Sequence, residues 1–446
     1  MSRIFFWSLV ASLAGFLFGF DTVVISGAER RIQELWQLGN LFHGVAIASA
    51  LYGTVIGALV GGWPTDRFGR KPTLIGIGIL YFVSAVWSAL AGDPLSFIVA
   101  RFIGGLGVGM STIAAPLYIT EIAPPERRGR LAGLYQFNIV FGILVALLSN
   151  YLLARFAPEN VAWRWMLGVE ALPAAIYMAA CFVLPESPRW LLARKGDRAK
   201  GIAVLRLIEP GLPPERLAAH AEEIIASSHT GASTDGDPFW TRKLRIPIML
   251  AVLIALFNQF SGVNAILYYA PRVFEMAGLE KSAALLQSVG IGVTNLLFTF
   301  AGLWLIDRIG RKTLLYIGGV GYVLSLAGIA LGFKYEIGGL VTGCVFSFIA
   351  SHAIGQGAVV WVYISEIFPN RHRAKGQAVG CITLWVSCAV ISTLFPKMAA
   401  DYSPQSVFLF FCVMMILHLV WVRLMVRETK GVPLEQMLAS FDKAGR

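Results

Sequence analysis

One stretch of this chain occurs twice. Residues 61–71 read GGWPTDRFGRK and residues 302–312 read GLWLIDRIGRK, so placing Asp66 on Asp307 sets an offset of 241. Other pairs keep close to that offset. Glu121 stands seven residues before Arg128, as Glu366 stands seven before Arg373, and Pro-Glu-Ser at 185–187 answers Arg-Glu-Thr at 427–429. A period this long exceeds that of a solenoid repeat and fits duplication of a whole half-protein. Each half is therefore a version of the other, and what folds one must fold both.

The halves are built from apolar runs. The 446 residues are 57% hydrophobic and 14% charged, whereas ordinary soluble domains are about a quarter charged. A run of about 20 apolar residues crosses the hydrocarbon core of a bilayer. Twelve are present, at roughly 5–27, 42–62, 73–92, 95–118, 131–154, 165–184, 246–270, 282–305, 313–333, 337–364, 377–399 and 406–426. The chain therefore predicts an all-α membrane protein of twelve transmembrane helices. They form two six-helix bundles, 1–184 and 246–426, with a cytoplasmic linker at 185–245 and a cytoplasmic tail at 427–446. In the linker, 188–208 and 213–227 have helical spacing of apolar positions, and 227–238 reads as a loop.

A net charge of +11 invites a nucleic-acid reading, and the placement of the charge excludes it. With both termini inside, 27 of the 37 Lys and Arg residues fall in cytoplasmic segments, where such residues collect because translocating them is unfavourable. The basic balance is topology. The N-terminal apolar run lacks an A-x-A-like cleavage site and continues into Asp21, so it reads as a retained first span. The expected location is the cell (inner) membrane, multi-pass, with both termini cytoplasmic. The five cysteines all fall in predicted spans without ligand spacing, which implies neither a disulfide framework nor a metal site. The six histidines show no nucleophile or metal spacing; they read as loop or packing residues, and the chain as no enzyme.

Within the spans, a few polar residues stand out. Asp21 lies roughly four turns into the first span. A carboxylate there costs about 2.5 to 3.5 kcal/mol on insertion scales and usually marks an ion or proton pathway. The fourth span offers Arg101 as its partner, the one other charge clearly inside a span on this reading, beside glycines that let helices approach closely. Burial raises the pKa of such an aspartate and the guanidinium lowers it, so moving Arg101 relative to Asp21 would couple protonation to helix rearrangement.

The seventh span, FNQFSGVNAILYYAP, places Asn258, Gln259 and Asn264 around Gly262 and closes with Tyr268, Tyr269 and Pro271. Irregular backbone at membrane depth is tolerated where it lines a cavity or is buried in protein, so a substrate site follows. Gln136, Asn295, Trp361 and Trp385 add two amides and two indoles. Amides match hydroxyls that both donate and accept, and an indole covers the C–H face of a ring. Apart from Asp21 and Arg101 this lining is neutral, and a small neutral polyhydroxylated solute fits it best. The matched loops at 119–130 and 365–376 each offer a carboxylate followed by a basic cluster. These charges are expected to pair between halves when the inside is shut.

FGFDTVVISG, RFIGGLGVG, PESPRW, NQFSGVNAILYYAP and the two DR-x-GR-K loops, in this order, resemble the sugar porter family of the major facilitator superfamily over essentially the whole chain. The resemblance implies the major facilitator fold, with a central site and alternating access. By position it assigns sugar contacts to Gln136, Gln259, Asn264, Tyr268, Asn295, Trp361 and Trp385, with Asn258 where the family usually has glutamine. It assigns an inner charge network, or cytoplasmic gate, to Arg70, Glu121, Arg128, Arg311, Glu366 and Arg373. Proton-linked members carry aspartate at the position of Asp21 and facilitative ones asparagine, which makes Asp21 and Arg101 the proton-coupling pair. The chain departs from the family at Gly357-Ala358, usually Gly-Pro, and at Leu384. The resulting expectation is a proton-coupled importer of a monosaccharide, hexose before pentose, acting as a monomer with the proton gradient as co-substrate and no cofactor. Its rivals are a passive uniporter, a polyol or inositol carrier, and a sugar sensor.

Overall fold

The computed structural model describes residues 3–124, 127–232, 238–369 and 371–431, without the side chains of 227–232. Every regular element among them is a helix. Among the described residues, eleven helices are long and apolar enough to cross a membrane. The first five crossings run Arg3–Val24, Asn40–Val60, Arg70–Leu90, Pro94–Ile122 and Arg128–Phe156. The sixth, expected as one run over 165–184, is divided into Ala162–Gly168 and Ala171–Cys181. Pro173 accounts for the break, because a proline ring clashes with the carbonyl four residues back, here that of Val169.

The seventh crossing is also divided, Arg245–Phe260 and then Val263–Tyr268, and is followed by Ala270–Met276. The eighth and ninth are Lys281–Ile309 and Arg311–Lys334. The tenth starts as Gly338–His352, widens into a π-turn at Ala353–Gly357 and resumes as Ala358–Ile367. The eleventh and twelfth are Arg373–Asp401 and Pro404–Leu424. Helix starts follow local chemistry. Asp93 accepts from Ser96 N at 2.9 Å ahead of Pro94, and Ser403 plays the same part ahead of Pro404, each placing proline where its missing N–H costs nothing.

Contacts divide the chain into two compact units. The first comprises Met1–Thr22, Gly53–Gly142 and Leu167–Asp237; the second comprises Val23–Tyr52, Ile143–Met166 and Pro238–Arg446. The first has a core of Trp7, Leu17, Ile77, Tyr81, Tyr118 and Tyr177. Its linker folds as Pro188–Trp190, a π-turn at Leu191–Lys195, Arg198–Ile208 and Pro214–Ala232. A separate small cluster of Leu192, Leu205, Leu217, Ala221 and Ile224 holds the linker helices together. Helix therefore continues through Ala232 where a loop was expected from 227. Residues 233–237 of that loop and 432–446 of the tail lie outside the described residues. On both units large apolar side chains such as Leu90, Phe156 and Leu324 face outward, as lipid contact requires and water would penalise.

Candidate functional site

In the first unit, Asp21 and Arg101 are each 1% exposed and meet directly. Arg101 Nη1 donates to Asp21 Oδ1, and Nη2 donates to the Asp21 carbonyl at 2.9 Å. Gly104 brings the fourth span in so closely that a Cβ there would sit 3.5 Å from Asp21 Oδ1 and against Ser84. The predicted pair is thus formed.

The structure corrects the expectation that no further charge lies within a span. Glu170, at the break of the sixth crossing, is also 1% exposed and lies within hydrogen-bond reach of Asp21. Asp21 Oδ2 and Glu170 Oε1 are buried with no donor among the described residues. Two carboxyls facing each other without a donor are the arrangement a bound proton satisfies. The signal was in the sequence: an acid in an otherwise apolar run, three residues before a proline that frees backbone around it.

In the second unit, the seventh crossing breaks at Gly262, whose φ of +85° lies in the left-handed region that favours glycine. A Cβ there would also collide with Phe411. The break turns three amides toward one another. Asn264 Nδ2 donates to Gln259 Oε1 at 2.8 Å, and Gln259 Nε2 donates to Asn258 Oδ1 at 2.9 Å. Asn264 also reaches Cys388 of the eleventh crossing.

Tyr268, Asn295 and Trp385 are buried in the same unit, and the eleventh crossing that carries Trp385 packs on both halves of the seventh. Trp361 is on the resumed half of the tenth crossing and is 38% exposed. Gln136 is half-buried in the fifth crossing and belongs to the first unit. The π-turn is the structural answer to Gly357-Ala358. Without proline the tenth crossing still yields there, by widening one turn, a feature frequent at functional sites. His352 enters that turn with its Nδ1 2.5 Å from the Tyr322 hydroxyl, a bond the packing reading of the histidines did not foresee. His418 does pack, between Phe257 and Trp421.

The duplicated loops fold alike. Gly69 and Gly310 take φ of 104° and 94° and open the third and ninth crossings. The freed amides at each helix start are held by a carboxylate from the end of the repeat. Glu186 accepts from Arg70 N at 2.9 Å, and Glu428 accepts from Arg311 N and Lys312 N at 2.9 Å each, which is favoured at a helix N-terminus. Burial pushes the Glu186 carboxyl up, and the amides of Ser187, Lys71 and Arg70 offset only part of it. At Glu428 burial also pushes up, but the amides of Lys430, Arg311, Lys312 and Thr429 win, and its carboxyl is lowered.

Arg70 grips both oxygens of Glu121 at 2.8 Å, and Arg311 grips Glu366 at 3.1 and 2.8 Å. Each of these arginines thus grips a carboxylate of its own half, and Asp66 and Asp307 join their own arginines at 3.3 and 3.0 Å. Arg128 and Arg373 open the fifth and eleventh crossings.

At the opposite end, the second unit contains a close approach of the second and eleventh crossings. A Cβ on Gly44 would fall on the backbone of Thr393. Tyr52 and Thr393 hydroxyls meet at 2.5 Å, and Tyr269 donates to the Ser392 carbonyl at 3.1 Å.

Comparison with known proteins adds identity to this geometry. A family model described as "Sugar (and other) transporter" matches residues 7–441. The arabinose-proton symporter of Bacillus subtilis (strain 168) is 34% identical over 436 residues, 96% of this chain and 93% of that protein. The D-xylose-proton symporter of Escherichia coli (strain K12) is 35% identical over 484 residues, covering 99% and 96%. The inward open conformation of the xylose transporter XylE from E. coli superposes with a TM-score of 0.87 at 32% identity, covering 98% of this chain and 100% of that one. XylE bound to 6-bromo-6-deoxy-D-glucose gives 0.79 at 33%, covering 98% and 99%.

Proposed function

The chain belongs to the sugar transporter family, and on that footing we propose that it imports a neutral monosaccharide together with protons by alternating access. It is a multi-pass carrier of the cell membrane, not an enzyme; protons serve as co-substrate and no cofactor takes part. Relatives are named for arabinose and xylose, and a solved relative holds a glucose derivative.

The observation that carries the coupling is the buried trio of Asp21, Glu170 and Arg101. Two carboxyls and one guanidinium in a dry place are neutral only with one proton bound, and an uncompensated buried charge costs several kcal/mol. Displacing Arg101 from Asp21 would call for a further proton, and restoring it would release one. Proton occupancy and helix position are thereby linked. For the cargo, we assign Asn258, Gln259 and Asn264 as the hydrogen-bonding face, joined by Tyr268, Asn295, Trp361, Trp385 and Gln136. Arg70, Glu121, Arg311 and Glu366, with Arg128 and Arg373, are proposed as the inner charge network. The repeats 1–184 and 246–426 are proposed as its two moving bodies, joined by the linker 185–245.

Adding sugar to a lightly buffered suspension of energy-depleted cells tests the reading. The medium should turn alkaline as protons enter with the sugar, and the sugars that produce the response identify the cargo. A passive uniporter would move labelled sugar with no pH change, and that result would remove the coupling. Gln259→Ala should raise the half-saturating sugar concentration about 5- to 150-fold, since a lost buried hydrogen bond or stranded partner costs about 1 to 3 kcal/mol. Counterflow in proteoliposomes reads this. An unchanged value would take the amide chain out of the sugar site.

A further inference from the structure

The first span leads, at the end opposite the basic loops, to another buried acid that the coupling trio does not include. After a turn at Ile25–Gly27 the chain forms a short helix, Glu29–Leu35, and Glu29 is 1% exposed. Its Oε2 lies 2.7 Å from His43 Nε2 and accepts from Arg272 Nη1 at 3.3 Å, while that Nη1 also donates to Gln33 Oε1 at 3.0 Å. These residues come from the Glu29–Leu35 helix, the second crossing and the Ala270–Met276 helix, and all belong to the second unit. One carboxylate thus ties the outer ends of three elements. The neighbouring Lys281–Glu159 pair at 3.0 Å is 62% and 85% exposed, and such surface pairs hold little.

His43 is fully buried, and its second nitrogen, Nδ1, has no partner among the described residues. A neutral ring tolerates that, with Nε2–H donating to Glu29 and Nδ1 left as a bare acceptor. A protonated ring strands a buried N–H and sets a second cation on a carboxylate that already serves Arg272. Among the described residues, the titratable and charged groups facing His43 are Glu29, Arg272 behind it, and Tyr269, whose ring stands edge-on at 6.3 Å with Tyr52 near it. Only Glu29 favours the charged ring. A pocket of about 970 Å³ lined by Glu29, Arg31, Glu34, Arg155 and Arg272 leads to the cluster, so protons from the outer solution have a route to it.

We propose that the Glu29–His43 pair is a proton-binding site distinct from Asp21, at which a proton from the outer pocket charges His43, loosens the cluster and lets the outer ends part. Acid outside, where an importer collects its protons, would thus favour the state that loads. The inference goes beyond the transport reading and does not need coupling at Asp21.

The test uses spin labels on the full chain in lipid nanodiscs, at Leu41→Cys and Tyr402→Cys. Both positions are exposed, at the ends of the second and eleventh crossings, which meet at Gly44 and Thr393. Between about pH 8 and about pH 5 the fraction of long separations should rise several-fold. His43→Gln keeps a donor for Glu29 but takes no proton, and it should hold the short separation throughout. Asp21→Asn should leave the response in place, which separates this site from the coupling trio. A response that survives in His43→Gln, vanishes in Asp21→Asn or is missing from the unsubstituted chain overturns the proposal. Should His43→Gln not fold, Glu29→Gln serves: it should show the long separation at every pH, and a retained pH response there is equally fatal.

Discussion

Replacing Asp21 by asparagine is expected to abolish accumulation of sugar against its gradient while sparing sugar exchange. Asparagine is nearly the same size and can still accept from Arg101, so the helix contact and the Gly104 approach survive. Glu170, within reach of the same place, supplies the negative charge that Arg101 would otherwise lack. The fold therefore escapes the roughly 3 to 5 kcal/mol cost of breaking a buried pair outright. What asparagine cannot do is bind and release a proton. One proton moving down about 100 mV releases about 2.3 kcal/mol, enough for about fifty-fold accumulation, and that whole factor should disappear. Uptake into energised vesicles measures it, and counterflow between preloaded and empty proteoliposomes measures what remains. A variant that still concentrates sugar would show that coupling lies elsewhere, with Glu170→Gln the next substitution to make.

A tryptophan in place of Gly44 should stop net transport altogether while leaving sugar binding from the outside. The second and eleventh crossings approach so closely at Gly44 and Thr393 that even a Cβ would meet backbone, which cannot rotate away as a side chain can. An indole there is a wedge that props the outer ends apart, and the hydroxyl contact of Tyr52 with Thr393 and the bond of Tyr269 to the Ser392 carbonyl are lost with it. The carrier would then fail to close on the outer side, and turnover falls below detection. Equilibrium binding to purified protein should still give a dissociation constant within about tenfold of the unsubstituted chain. Transport near the original rate in Gly44→Trp would mean that these two helices need not meet during the cycle.

Much of this was legible from the chain because bilayer constraints are coarse and repeated. Long apolar runs and two copies of one loop specify the helices and the internal repeat. Asp21 and Arg101 were found because each is costly where it stands. Glu170 was missed for the opposite reason: a window average over the sixth run barely registers one acid, and the break caused by Pro173 is local steric chemistry that hydropathy ignores. Pairing of Arg70 with Glu121 and of Arg311 with Glu366 within each half was equally hidden, since spacing shows which charges share a face but not which neighbour they grip. His43 looked inert in a list of scattered histidines because its partner Glu29 lies on a different helix.

The π-turn at Ala353–Gly357 fits an extra residue into one turn of the tenth crossing. A single residue is worth about 100° around a helix axis, so everything downstream, Trp361 included, presents a face that an unbroken α-helix would have rotated elsewhere. Deleting one residue there would tidy the backbone and misaim the indole in the same stroke. The irregularity is thus a setting of azimuth, and relaxing it to a regular helix would turn that aromatic face by more than a quarter of a circle.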